Sequence, residues 1–175
     1  MKISLLRTCV SAIVIEMMSP FIANAQSPSD LKASIKLSSV SMEAAQVAAN
    51  SALKACQKKG AMVAVVVVDR SGVPLIMLRD NLAGMHTPDT AMRKAWTAVS
   101  FKNSTTELAT VTAYNQANSG IRQLPNVAMI GGGLLIQDAG SIIGAIGVSG
   151  APGGDLDEEC ALAGIKAIQD AIDLN

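Results

Sequence analysis

The chain has 175 residues, 50% of them hydrophobic, with 14 basic and 14 acidic side chains and only 2% aromatic residues. That length suits one domain with a substantial core and is short for two. With no net charge and few rings, the chain offers neither a basic stripe for nucleic acid or anionic lipid nor a stacking platform for bases or sugars.

Lys2 and Arg7 form a basic n-region ahead of a mostly apolar run from Cys9 to Ile22, and Ala23-Asn24-Ala25 supplies an A-x-A cleavage signal. Residues 1–25 therefore read as a signal peptide cleaved after Ala25, which implies a periplasmic or secreted protein. Glu16 and Pro20 interrupt the run well short of the roughly 20 apolar residues an anchor needs, so no membrane span is expected in the mature form. Residues 26–38 are polar and read as a flexible N-terminal arm. Residues 39–175 read as a single domain.

Ser41 can cap a helix running to Lys59 and stopped by Gly60, with Ala45, Ala48, Ala49, Ala52, Leu53 and Cys56 on one apolar face. Met62 to Val68 is apolar without alternation, which predicts a strand covered on both faces. Asp69-Arg70-Ser71-Gly72 turns the chain, and Val73 to Leu78 returns as a second strand whose Pro74 marks an edge or an irregular entry. Asp80 to Asp89 reads as a loop carrying His86, the only histidine. Thr90 to Phe101 predicts a helix, and Thr105 to Asn118 a second, shorter one. Leu134 to Ile136 and Ile142 to Val148 then form strands around an Asp138-Ala139-Gly140 turn. Gly144 and Gly147 remove side chains from the latter strand, so something packs closely over it. Asp155 and Glu158 have capping-box spacing at the head of a last helix.

Helix, two strands, helices, two or three strands, helix is the order of an α+β domain with an antiparallel sheet. The terminal helices can share one face of that sheet and the central helices the other, which brings the faces carrying Cys56 and Cys160 within range. Once Cys9 leaves with the signal, those two cysteines could pair in an oxidising compartment. Buried free thiols on helix faces are the alternative. Neither belongs to a C-x-x-C pair, which argues against zinc and thioredoxin-like chemistry.

The glycine-rich loop at Gly150 to Gly154 places Asp155, Asp157, Glu158 and Glu159 where an anion would sit, and reads as structural. A hard cation on those carboxylates is the lesser alternative. Ser149 lies in Gly-Val-Ser-Gly, which is not the G-x-S-x-G of a nucleophile elbow. A single histidine cannot build a multi-histidine metal site, but His86 suffices as an axial haem ligand. The absence of C-x-x-C-H argues against covalent c-type attachment. Arg79 and Lys94 are candidates to meet carboxylates or propionates, and Met77, Met85 and Met92 offer a soft apolar wall. The ordinary fates of these residues are solvated charge and core packing.

Three blocks resemble the GlcG/HbpS family (DUF336): Val65 to Gly72 with the strand to Arg79, Ala91 to Ala98 around Lys94-Ala95-Trp96-Thr97, and Gly131 through Gly150 to Ala161. The resemblance implies a profilin-like fold, a central antiparallel sheet flanked by helices on both faces, in symmetric homo-oligomers. It also implies non-covalent haem binding in some members and haem degradation or iron handling in a few. Asn81 and Leu82 stand where the family often has an acidic residue and a glycine, and Leu135 replaces a proline. The first functional reading is an exported protein binding haem for iron handling or sensing. His86 would ligate the iron, Arg79 and Lys94 would hold propionates, and Thr87 and Asn81 would be polar neighbours. The second is a metal-free binding or sensor domain for a small organic acid. A haem-degrading enzyme ranks third, because the sequence shows no poised acid and base pair. An alanine- and glycine-rich chain with a positive mean hydropathy should also leave apolar surface for a homo-oligomer to bury.

Overall fold

Ser41 starts the first helix as expected: its hydroxyl accepts the Ala44 N–H at 3.1 Å, and helix α1 runs Met42–Lys58 until Gly60 turns the chain with φ +75°. The structure, a computed structural model, describes residues 32–174. The expected signal peptide lies outside the described residues, as does the arm up to residue 31, and residues 32–41 carry no regular structure. From Leu37 onward the chain forms one compact unit.

Strands β1 (Ala64–Asp69), β2 (Pro74–Arg79), β3 (Gly133–Asp138) and β4 (Ser141–Ser149) make one antiparallel sheet in the order β2-β1-β4-β3. β1 is central and its valines are buried on both faces, which is why the sequence there does not alternate. β2 lies at an edge, opened by Pro74 beside a register shift at Val67/Val68. Between β3 and β4 the two-residue turn takes Ala139 and Gly140 through positive φ, the conformation of a type I′ hairpin.

The two faces of the sheet are covered by different helices. Val65, Val67, Ile146 and Val148 pack under α1 and α4 (Gly154–Lys166), where Ala48, Ala52 and Ala161 allow the two helices to lie close. Cys56 and Cys160 meet there in a disulfide with Cα atoms 5.5 Å apart, so the paired alternative is the one realised. Ala64, Val66, Val68 and Ala145 face α2 (Thr87–Phe101) through Ala91, Ala95 and Ala98. Gly147 is the point of closest approach, because a Cβ there would run into the Ala91 carbonyl and the Ala95 N–H of α2.

Three boundaries differ from the sequence reading. α2 begins at Thr87, three residues before the expected Thr90, with Pro88 in its first turn where a missing N–H costs nothing. α3 (Thr105–Val111) ends well before Asn118, and Asn115 beyond it has φ +72°. The expected continuation is replaced by turns and a 3₁₀ segment, Ser119–Gln123. The last helix is capped by Gly153, whose lack of a side chain rules out the expected Asp155–Glu158 capping box. It gives way after Lys166 to a short α5 (Gln169–Asp173).

Candidate functional site

The segment between β2 and α2 is closed by its own hydrogen bonds. Thr87 N–H and Oγ1 both donate to the Gly84 carbonyl, at 3.0 and 2.8 Å, and Thr90 Oγ1 donates to the His86 carbonyl at 3.0 Å. Asp80 accepts from Gln57 Nε2 at 2.7 Å and from the Leu82 N–H. These bonds and the adjacent Arg79 hold its carboxyl below the usual range despite slight desolvation. His86 is the N-cap residue of α2, but its side chain makes no capping bond and it is exposed. The ring lies beside Gly84, where a Cβ would come within 2.8 Å of Cε1.

Across from His86, the end of β4 and the loop into α4 form the second wall of a cleft of about 370 Å³. Its lining includes His86, Thr87, Thr90, Lys94, Ser149 and Asp157. At its floor Lys94, only 1% exposed, donates to Asp157 Oδ2 at 2.7 Å and to the Val148 carbonyl at 2.9 Å. Asp157 Oδ1 in turn accepts the Ala151 N–H at 3.0 Å, so one ion pair ties α2, β4, the glycine-rich loop and α4 together. Burial pushes the Asp157 carboxyl above the ordinary aspartate range, more than the Lys94 ammonium and the Ala151 and Gly150 amides pull it back. Gly132 explains part of the triple glycine. With φ +113° it passes directly over this pair, and a Cβ would sit 2.7 Å from Asp157 Cβ and 3.0 Å from Lys94 Nζ.

Of the five residues the sequence singled out, the cleft gathers His86, Thr87 and Lys94. Arg79 and Asn81 do not line it: Arg79 is at the end of β2 with its guanidinium bonded to the Ala83 carbonyl, and Asn81 is exposed on the loop. Met85 is exposed and Met77 half-exposed, whereas Met92 packs against the core under α2. The sequence reading missed Ser149 and the inward role of Asp157. Its available clue was Lys94 itself, which falls at helical spacing among Ala91, Ala95 and Ala98 and so had to find a buried carboxylate. Among the described residues no group of three or more His, Cys, Asp or Glu side chains is placed to hold a metal ion, and the acidic residues of the loop form no such cluster.

A four-stranded antiparallel sheet covered on both faces, with a cleft where the helix following β2 meets the loop following β4, defines an α+β domain of the GlcG/HbpS type. The chain belongs to that family: residues 40–166 match the family described as "Haem degrading protein HbpS-like". Among solved structures, a double mutant of Streptomyces reticuli HbpS is 39% identical. The match has a TM-score of 0.73 and covers 77% of this chain and 90% of that one. Klebsiella pneumoniae ORFY is 28% identical with a TM-score of 0.76 over 79% of this chain and 97% of its own. PduOC, solved as a haem complex, is 29% identical with a TM-score of 0.69, covering 74% and 95%. The corrinoid adenosyltransferase PduO of Salmonella typhimurium LT2 is 31% identical over 114 residues, 64% of this chain. The match spans only 33% of PduO.

Proposed function

We propose that this chain is an exported protein that binds haem non-covalently, with His86 as the iron ligand, and serves haem or iron handling or sensing. One observation carries the reading: His86 presents an imidazole that bonds none of the described residues at the mouth of a cleft, in a fold whose relative PduOC was solved with haem. The fit extends to the surroundings. Exposed Met85 and Leu82 precede His86 and offer an apolar seat for the macrocycle, and Arg79 and Asn81 lie on the same stretch as polar contacts for its edge. Thr87 fixes the backbone that carries His86. Lys94 is almost fully buried and lines the cleft, so a propionate would meet it there. Bound haem would supply an iron centre; the chain's own part is to ligate and shelter it.

Export is supported by the leader-like features of residues 1–25 and by a buried disulfide, which suits an oxidising compartment. Among the described residues no helix is long and apolar enough to cross a membrane. We also propose a homo-oligomer, supported by exposed Val73, Val111, Leu124 and Ile130. A monomer by light scattering at micromolar concentration would count against it.

The test of the haem reading is a haemin titration followed by absorbance, with His86→Ala alongside. A saturable Soret shift that weakens in the variant is expected. An undiminished shift would remove His86 as ligand, and no saturable shift in either protein would end the reading.

A further inference from the structure

We infer that the cleft between the heads of α2 and α4 is a binding site for a singly charged carboxylate, with the Ser149 hydroxyl as its key donor. Seven polar side chains are buried among the described residues: Thr87, Lys94, Thr97, Thr105, Thr112, Ser149 and Asp157. Six of them hydrogen-bond within the protein. Ser149, only 5% exposed, is the exception: its hydroxyl has no partner among the described residues. A hydroxyl with no acceptor of its own in the protein can give its proton to an acceptor that enters from outside. The hydroxyl is not sealed in the core, and Ser149 lines the cleft. Strand register sets its direction. Ser149 pairs with Ala64, and Ala64, Val66 and Val68 with their partners Ser149, Gly147 and Ala145 all lie on the α2 side of the sheet.

Two further features favour an anion there. The 15-residue α2 and the 13-residue α4 both begin at the cleft, at His86, whose side chain makes no capping bond, and at Gly153, which has no side chain to make one. In α2 the Thr87 N–H is spent on the Gly84 carbonyl and Pro88 has none, so the first-turn amides on offer are chiefly those of α4, while both helix dipoles present positive potential to the same space. Lys94 has three donor hydrogens and gives two to Asp157 and Val148, leaving one for a ligand in the cleft it lines. The negative groups set the limit on ligand charge. Asp157 neutralises Lys94 and lines the same wall, while Asp89 is exposed and paired with Arg93 and Asp155 is exposed in the first turn of α4. One added negative charge is balanced by the helix ends and the donors. A phosphate dianion would face Asp157 with no second cation. A cleft of about 370 Å³ holds a small organic acid, or the propionate arm of a haem seated outside it. The site stands on its own geometry, and only the propionate version rests on haem binding at His86.

The experiment uses the purified protein and Ser149→Ala, a change that removes no bond made in the protein and should leave the melting temperature unchanged. Sodium propionate is titrated at constant ionic strength while amide NMR shifts are followed. Saturable shifts at Ser149, Gly150 and Gly154 are expected, with affinity about tenfold weaker in the variant, as for loss of one hydrogen bond to a charged group. In parallel, haemin and its dimethyl ester are titrated by absorbance. Propionate binding with equal haemin and ester affinities identifies a free acid as ligand. Weaker binding of the ester, with the difference abolished by Ser149→Ala, identifies the haem arm. If propionate shifts no cleft amide and the ester binds like haemin, or if Ser149→Ala matches the wild type in both titrations, the inference is overturned. Failure of haemin to bind at all would strike the haem reading alone, since the propionate titration is independent of it.

Discussion

At the scale of single residues the molecule turns on Lys94, a lysine set in a stripe of alanines and almost completely buried. A buried ammonium is tolerated only when paired and hydrogen-bonded, and Asp157 and the Val148 carbonyl meet that need. Lys94→Met leaves Asp157 buried without its cation, so it is expected to cost about 3–5 kcal/mol in urea denaturation. A cost below about 1 kcal/mol would show that the pair holds little together. The pH dependence follows from the direction of the Asp157 shift. Because burial raises its pKa in the folded state, the folded chain binds this proton more tightly than the unfolded one. The contribution is fully present below the ordinary aspartate value and is lost as pH rises through the raised one. Wild-type stability measured against Asp157→Asn should therefore fall with rising pH across that window, and a rise would reverse the assignment. His86 stood out in the sequence by its rarity, with Lys94 as a nearby cation and Thr87 as a polar neighbour, but the sequence reading did not see that Lys94 is spent on a buried carboxylate. Asp157 and Ser149 were not legible, because the Lys94–Asp157 contact spans 63 positions and Ser149 is defined only by strand register.

At the scale of elements, the strength of each local signal decided what could be read. β1 was visible as an unbroken apolar run, and α1 as a serine cap, an alanine face and a glycine stop. The head of α2 was hidden because Pro88 resembles a loop residue yet fits a first helical turn, and the tail of α3 because its stop, Asn115 in the left-handed region, carries no glycine or proline to mark it. The glycines of β4 were readable as a close approach, but not what approaches. The structure supplies it: α2 rests its backbone on Gly147. Gly147→Ala would drive a methyl group into the Ala91 carbonyl and Ala95 N–H, where no side chain can rotate aside. A loss of about 1–3 kcal/mol is expected, as for other overpacked cores. An alanine variant with an unchanged denaturation midpoint would mean that α2 shifts freely over the sheet, and with it the mouth of the cleft.

At the scale of the whole molecule, the Cys56–Cys160 disulfide links the first helix to the fourth across a sequence separation of 104 residues. Closing so long a loop restricts the unfolded chain, and the chain-entropy model sets the gain near 4.7 kcal/mol. Both sulfurs lie in the core under α1 and α4, so the bond also fixes the layer opposite the cleft. Domains of this size are stable by only about 5–15 kcal/mol in total, and one cross-link can therefore supply a large share. Denaturation under reducing conditions should show a loss of roughly 2–5 kcal/mol relative to the oxidised protein. The Cys56→Ala/Cys160→Ala double variant should match the reduced protein and ignore reductant. An oxidised and a reduced protein that unfold at the same midpoint would leave the cross-link without energetic consequence, and with it the main structural support for export. The expected loss would instead make the fold's stability depend on where the chain resides, because a reducing cytoplasm would withhold the bond that an oxidising compartment supplies.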